Sequence, residues 1–166
     1  MRLKMLTLEN FRGYKDRTLI PIQPNLTAIV GKNDVGKSSI LEALEIFFNS
    51  EIVKLDKGDL NVSASSQLIR IGCIFDELPE EVIVDETVPT SLRTEYLVNE
   101  SGDLEIVKSF KCQTTTIGKE EIYLRAIHPS AEKFNNLLEQ KIDTLKTLGR
   151  ELRAQVSDER KSSLVN

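Results

Sequence analysis

The sequence predicts an α/β fold: a strand, glycine loop and helix unit beside an antiparallel β section, followed by a long C-terminal helix. Three observations carry this. The apolar, β-branched run 26–30 (Leu-Thr-Ala-Ile-Val) leads into Gly31, and Lys37 to Phe48 then places Ile40, Leu41, Leu44, Phe47 and Phe48 at helical spacing. Short strand-like stretches separated by turn residues fill the region between 68 and 126. Finally, Phe134, Leu138, Ile142, Leu145, Leu148, Leu152 and Val156 recur at steps of four or three.

Taken in order, Leu3 and Met5 alternate with Arg2 and Lys4, and Leu6 and Leu8 alternate with Thr7 and Glu9, the period of a strand. The phase slips once, at Met5-Leu6, so either a bulge sits there or both faces are covered. Asn10-Phe11-Arg12-Gly13-Tyr14 reads as a turn, and Arg17 to Ile22 as a second strand that Pro21 restricts to an edge or a bulge. Leu26 to Val30 is short and almost wholly apolar, as expected of a strand buried on both faces. Beyond Asn49, the polar stretch Ser50 to Gln67 reads as a surface connection. Leu68 to Phe75 is a strand and Asp76 to Glu81 a polar turn. Thr94 to Val98, Leu104 to Phe110 and Thr115 to Ala126 read as three further strands, with Asn99-Glu100-Ser101-Gly102-Asp103 as a hairpin turn, giving an antiparallel meander. Ser130 is the N-cap expected for the final helix, which Gly149 weakens by about 1 kcal/mol relative to Ala. The domain division is 1–128 for the α/β lobe and 129–166 for the amphipathic helix, either packed on the sheet or opening an arm.

Composition narrows the function classes. With 22 Lys and Arg against 26 Asp and Glu the net charge is −4, so no overall basic character marks a nucleic-acid binder. No segment approaches the roughly 18 apolar residues of a spanning helix, and the amino terminus lacks the apolar core of a signal peptide. Cys73 and Cys112 stand far apart outside any CxxC pattern, as expected of reduced thiols in a cytoplasmic protein.

The chemistry lies in Gly31-Lys32-Asn33-Asp34-Val35-Gly36-Lys37-Ser38, which satisfies G-x-x-x-x-G-K-[ST] at every fixed position. A chance match in this length is on the order of one in two hundred, and this one falls where the motif requires, at a helix start. Gly31 and Gly36 permit backbone conformations that turn successive N–H groups toward a phosphate. The helix N-terminus adds unsatisfied donors and the positive end of its dipole. Lys37 supplies a point charge for the β and γ phosphates, the Ser38 hydroxyl is the expected Mg²⁺ ligand, and Ser39 is placed for the α phosphate. ATP with Mg²⁺ is the expected ligand pair.

A phosphate loop as late as residue 31, behind two strands and the Asn10–Tyr14 turn, resembles the ABC-type ATPase heads of the SMC and RecF proteins. Their chains open on a strand, an N-F-(R/K)-x-(Y/F) turn and a second strand before the loop. Their loops read G-x-N-G-x-G-K-[ST]; this chain keeps Asn33 and has Asp34 where they have Gly. Asn-Asp-x-Gly-Lys-Ser is similar to the OLD (overcoming lysogenization defect) ATPases, including Gabija-type antiphage ATPase–nucleases. Asp tolerates positive φ better than most residues, so the swap fits the same loop. Ser39 to Leu44 also fits the S-x-L-x-A-L stretch of these relatives. The resemblance implies the N-terminal lobe of an ABC-type head, with Asn33, Asp34, Val35, Gly36, Lys37, Ser38 and Ser39 holding ATP. It also implies Arg12 as a second phosphate or ribose contact. It further implies bacterial head-to-head dimers or higher oligomers, action on DNA in repair or antiviral defence, partner proteins in such a system, and a C-terminal nuclease in an OLD-type protein.

Several segments imitate function. Ile71 to Glu77 ends in Asp76-Glu77 like a Walker B strand, yet ABC heads place that strand far downstream. The acidic cluster Asp76, Glu77, Glu80, Glu81, Asp85 and Glu86, which could be taken for a metal site, reads as a solvated turn because its spacings fit no coordination loop. His128 reads as a strand-end residue and Gln67 as the opening of a strand. Neither a Leu-Ser-Gly-Gly signature nor a later Asp-Glu strand occurs, so no catalytic residue is assigned and 166 residues read as the length of a fragment. The rival function is a nucleotide-gated interaction module that binds ATP without turnover.

Overall fold

The computed structural model describes residues 1–32, 36–83, 89–112, 116–128 and 141–151. Its centre is an antiparallel sheet of β1 (Arg2–Glu9), β2 (Thr18–Pro21), β3 (Leu68–Asp76), β4 (Leu104–Lys111) and β5 (Glu121–Leu124), ordered β2-β1-β3-β4-β5. Helix α1 (Lys37–Phe47) packs on one face, joined to β3 by a connection with a short 3-10 turn at Lys57–Asp59. Pro21 closes the edge strand β2, where its missing N–H costs no ladder bond.

The slip in the β1 pattern is a bulge. Leu3 pairs with Phe75 but Met5 pairs with Ile74, so Lys4 is the extra residue. The bulge returns Leu3, Leu6 and Leu8 to one face despite their odd and even numbers; Leu6 and Leu8 belong to the core, and the half-buried Leu3 packs against it. On β3 that face carries Ile69, Ile71, Cys73 and Phe75. Helix α1 covers it with Ile40, Ala43, Ile46 and Phe47, whose spacing puts them on one stripe. The opposite sheet face mixes the buried Ile74 and Val107 with ion pairs: Arg2 pairs with Asp76 at 2.6 Å, Arg70 with Glu9 at 2.7 Å, and Arg17 with the buried Glu105 at 2.9 Å.

The structure departs from the sequence reading in four places. Residues 26–30 form no strand: Leu26 is 79% and Val30 89% exposed. A strand exists only through a partner ladder, and none of the described strands runs beside this run. Residues 94–98 form a tight turn instead of a strand, because local bonds win. The Glu95 N–H reaches the Ser91 carbonyl at 3.1 Å, the Leu97 N–H reaches that of Leu92 at 2.9 Å, and Tyr96 takes a φ of 55°. The 99–103 turn forms, with the Asn99 side chain accepting from the Ser101 and Asp103 N–H groups, but it follows that turn and not a strand. The strand expected over Thr115–Ala126 contracts to β5, an exposed edge, after an isolated bridge between Cys112 and Ile117. The connection after Asn49 is also less superficial than expected, since Asp59 is buried and Leu60 bridges to Phe11.

Helix α2 (Ile142–Glu151) covers part of the predicted final helix and buries Leu145. Residues 129–140, with Ser130, and 152–166 lie outside the described residues. Cys73 and Cys112 are free and buried.

Candidate nucleotide-phosphate site

Gly36 is the N-cap of α1 and adopts a left-handed φ of 87°, a conformation that residues with a Cβ rarely take. Neither a side-chain cap nor an acidic residue occupies the first turn of α1. The helix therefore presents its first N–H donors and its dipole without a competing carboxylate of its own, the arrangement that favours an anion. The Lys37 ammonium donates to the carbonyls of Gly31, at 2.8 Å, and Lys32, at 2.5 Å. Its partners are neutral oxygens, so its full charge remains on offer to a phosphate. Ser38 is exposed beside it, while Ser39 is buried on the core side of α1. Asn33, Asp34 and Val35 lie outside the described residues.

The Asn10–Tyr14 turn is built against this loop. Asn10 and Arg12 both take positive φ, 56° and 47°. The Asn10 side chain donates to the Leu68 carbonyl at 2.9 Å, and Phe11 is fully buried. The Arg12 guanidinium bonds Glu42 of α1 at 2.5 Å and Asp59 at 2.6 Å. Hydrogen bonding to Glu42, then to Asp59, raises its pKa against the opposing effect of burial, so it stays charged. The predicted nucleotide contact thus spans two protein carboxylates, linking the turn to the phosphate-loop helix and to the 57–59 turn. Tyr14 completes the link: its hydroxyl donates to the Gly36 carbonyl at 3.3 Å.

A family profile described as AAA ATPase domain matches residues 1–165. The chain belongs to the AAA ATPase domain family. Within curated proteins, it is 40% identical over 58 residues to the chromosome partition protein Smc of Lactiplantibacillus plantarum, a stretch covering 35% of this chain and 5% of that protein. It is 48% identical over 44 residues to the DNA replication and repair protein RecF of Desulforamulus reducens, covering 26% of this chain and 12% of that protein. The matches therefore span a small part of those relatives' length. Among solved structures, the SMC head domain from Thermotoga maritima aligns with a TM-score of 0.50 at 21% identity, covering 76% of this chain and 38% of that one. A second, from work titled "Structural biochemistry of ATP-driven dimerization and DNA stimulated activation of SMC ATPases", aligns with a TM-score of 0.50 at 16% identity over 92% of this chain and 96% of that one. These likenesses show the fold: an N-terminal lobe of the SMC head type.

This AAA ATPase domain holds its Walker B imitation in structural roles. Asp76 closes β3 in a bidentate pair with Arg2, at 3.0 and 2.6 Å, which draws the carboxyl below its usual range. Glu77 lies 3.4 Å from the same guanidinium. Asp76 is therefore a strand-end ion-pair partner and not part of a solvated turn; Asp85 and Glu86 lie outside the described residues. No trio of His, Cys, Asp or Glu gathers as a metal site among the described residues. His128 lies beyond β5, lining a cavity of about 410 Å³ with Arg17, Glu105 and Arg125. Gln67 is exposed, and its carbonyl accepts the Cys112 N–H at 2.8 Å. No helix among the described residues is long and apolar enough to cross a membrane.

Sequence reasoning missed Lys108. It is 4% exposed on the core face of β4, donates to Asn49 and to Glu120, and stands 5.8 Å from the Phe47 ring. A cation there suits the C-terminal end of α1. Its alternation within a buried strand was the available signal.

Proposed function

We propose that this chain is the ATP-binding lobe of an SMC/RecF-like protein that processes DNA, of the OLD type, with Lys37 and Ser38 as the principal nucleotide residues. The observation that carries the reading is the uncapped α1 N-terminus behind a left-handed Gly36, with the Lys37 ammonium turned back over the loop carbonyls. These groups fit a polyphosphate. Lys37 would hold the β and γ phosphates, the N–H groups after Gly36 would surround them, and Ser38 would hold Mg²⁺. A lone hydroxyl suits Mg²⁺, which is commonly held by a few protein groups together with substrate phosphates. When bound, Mg²⁺ neutralises charge on the phosphate oxygens. Asn33 and Asp34 support the OLD-type assignment through their spacing before Gly36-Lys37-Ser38, and so a role in repair or antiphage defence. Head dimerisation, DNA association and partner proteins in such a system belong to the same reading. Arg12 serves it by fixing the turn to α1 and, with nucleotide present, as a second contact.

A second reading has an observation of its own. Asp76 and Glu77 are engaged by Arg2, so the described residues supply ATP binding without an assigned catalytic base. Both readings share the phosphate site and differ in turnover.

The test is binding of a fluorescent ATP analogue beside phosphate release. Lys37→Ala is expected to weaken binding at least tenfold while the chain stays folded, and Ser38→Ala to remove the dependence of affinity on Mg²⁺. Unchanged binding in Lys37→Ala overturns the site. Robust phosphate release by these 166 residues would overturn the reading as a binding lobe.

A further inference from the structure

We infer that Tyr14 is a positioning residue of the phosphate site, setting the backbone of Gly36 from outside the loop; the inference rests on the nucleotide reading above. Two contacts on different atoms of the side chain converge on one residue. The hydroxyl donates to the Gly36 carbonyl at 3.3 Å. The ring lies against the position a Cβ would take: Cε2, the hydroxyl oxygen and Cζ of Tyr14 stand 3.1, 3.2 and 3.3 Å from it. Gly36 is thus favoured by its φ of 87°, and a Cβ there would press on the Tyr14 ring by a few tenths of an ångström.

Position matters here because of what Gly36 does next. Its carbonyl also accepts the first bond of α1, from the Ile40 N–H at 3.3 Å. That single oxygen therefore joins the Tyr14 hydroxyl to the opening turn of the helix whose N–H donors face the phosphate. Tilting this peptide tilts the donors, and a charge-directed donor loses strength steeply with angle. Tyr14 itself cannot drift. Phe11 and Tyr14 exchange backbone bonds at 2.9 and 2.8 Å, Phe11 is fully buried, and Arg12 between them is tied to Asp59 and Glu42. The rigid turn transmits the position of β1 to the loop. Burial raises the phenol pKa, so the hydroxyl keeps its proton and remains a donor.

The test compares Tyr14→Phe and Tyr14→Ala with the unchanged chain for the affinity of Mg²⁺ with ATP, ADP or adenosine, and for thermal unfolding without nucleotide. Loss of one hydrogen bond predicts a threefold to tenfold weaker affinity for ATP and ADP in Tyr14→Phe, on the order expected of a neutral bond. Tyr14→Ala also frees the Cβ side of Gly36 and is expected to lose more. Weak adenosine binding stays the same in all three, since no phosphate is read, while the melting temperature of Tyr14→Phe falls by about 2–4 °C, the cost of one neutral bond in a chain of this size. ATP affinity unchanged in both variants overturns the inference. So does a loss that adenosine shares, since Tyr14 would then act on the fold as a whole and not on the phosphate donors. Lys37→Ala runs alongside: if it leaves ATP affinity intact, the phosphate reading itself fails, and the positioning role fails with it.

Discussion

Two glycines make the same substitution act with opposite sign. At Gly72, in the middle of β3, an added Cβ would stand 2.5 Å from Thr7 Oγ1 and 3.2 Å from both the Ile106 carbonyl oxygen and Val107 Cγ2. Removing a glycine from a strand ordinarily gains about 0.4–1 kcal/mol through the unfolded chain. Overpacking costs about 1–3 kcal/mol, and all three neighbours belong to strands paired with β3, the Ile106 oxygen being backbone held in the ladder. The clash wins, so Gly72→Ala is expected to lower the urea midpoint by the equivalent of about 1–2 kcal/mol. At Gly149, inside α2, nothing lies within 4 Å of the added atom. Gly149→Ala is expected to gain about 0.5–1 kcal/mol, read in the same titration. A higher midpoint for Gly72→Ala would contradict the packing of Thr7 against β3.

At the scale of elements, the bulge at Lys4 and the Arg2–Asp76 pair together fix how the first residues of β1 sit on the last residues of β3. The hydrogen bond from Arg2 draws the Asp76 pKa below its ordinary 3.8. A carboxyl whose folded pKa is depressed contributes stability that is present above the unfolded value and lost as pH falls through the folded one. Asp76→Asn is therefore expected to be less stable than the unchanged chain at neutral pH, with the difference closing below about pH 4. Urea midpoints at several pH values check it, and a gap independent of pH would refute the linkage. Elements such as these were legible where periodicity and ladder agree: β1 with its slip, β2 with its terminal Pro21, β3, β4 and α1 all stand within a residue or two of their expected bounds. Residues 26–30 and 94–98 were not. Apolar β-branched composition reports a preference for burial, whereas a strand needs a neighbour. Ser91 and Asn99 supplied local bonds that composition alone does not rank. The site divides likewise. Gly36, Lys37 and Ser38 were legible from their spacing. The partners of Arg12 and the reach of Tyr14 to Gly36 were not, because they depend on a turn folding back over 22 or more residues of chain.

For the whole molecule, the core is one continuous body in which sheet, α1 and the Asn10–Tyr14 turn share Leu6, Leu8, Phe11, Ile40, Ile71 and Cys73. Cys73 is fully buried at its centre, and burial pushes its thiol up to about 12. The thiolate is the reacting form, so the native chain offers neither access nor nucleophile to a thiol reagent near neutral pH. Labelling of Cys73 must wait for an opening that takes the sheet and α1 apart. In a Cys112→Ser background it becomes the sole thiol of the chain, so its rate reads that opening alone. Nucleotide bound at α1 stabilises only the closed form, by about 2.7 kcal/mol at a hundred times its Kd, equivalent to roughly a hundredfold fewer open molecules. With opening and closing fast relative to labelling, ATP and Mg²⁺ at that ratio are expected to slow modification of Cys73 about a hundredfold. Under the same nucleotide concentration, Lys37→Ala is expected to remove nearly all the slowing. Rapid labelling of Cys73 without denaturant, or a rate indifferent to nucleotide in a chain that binds it, would mean that β3 opens without α1 and that the phosphate site is not coupled to the centre of the core.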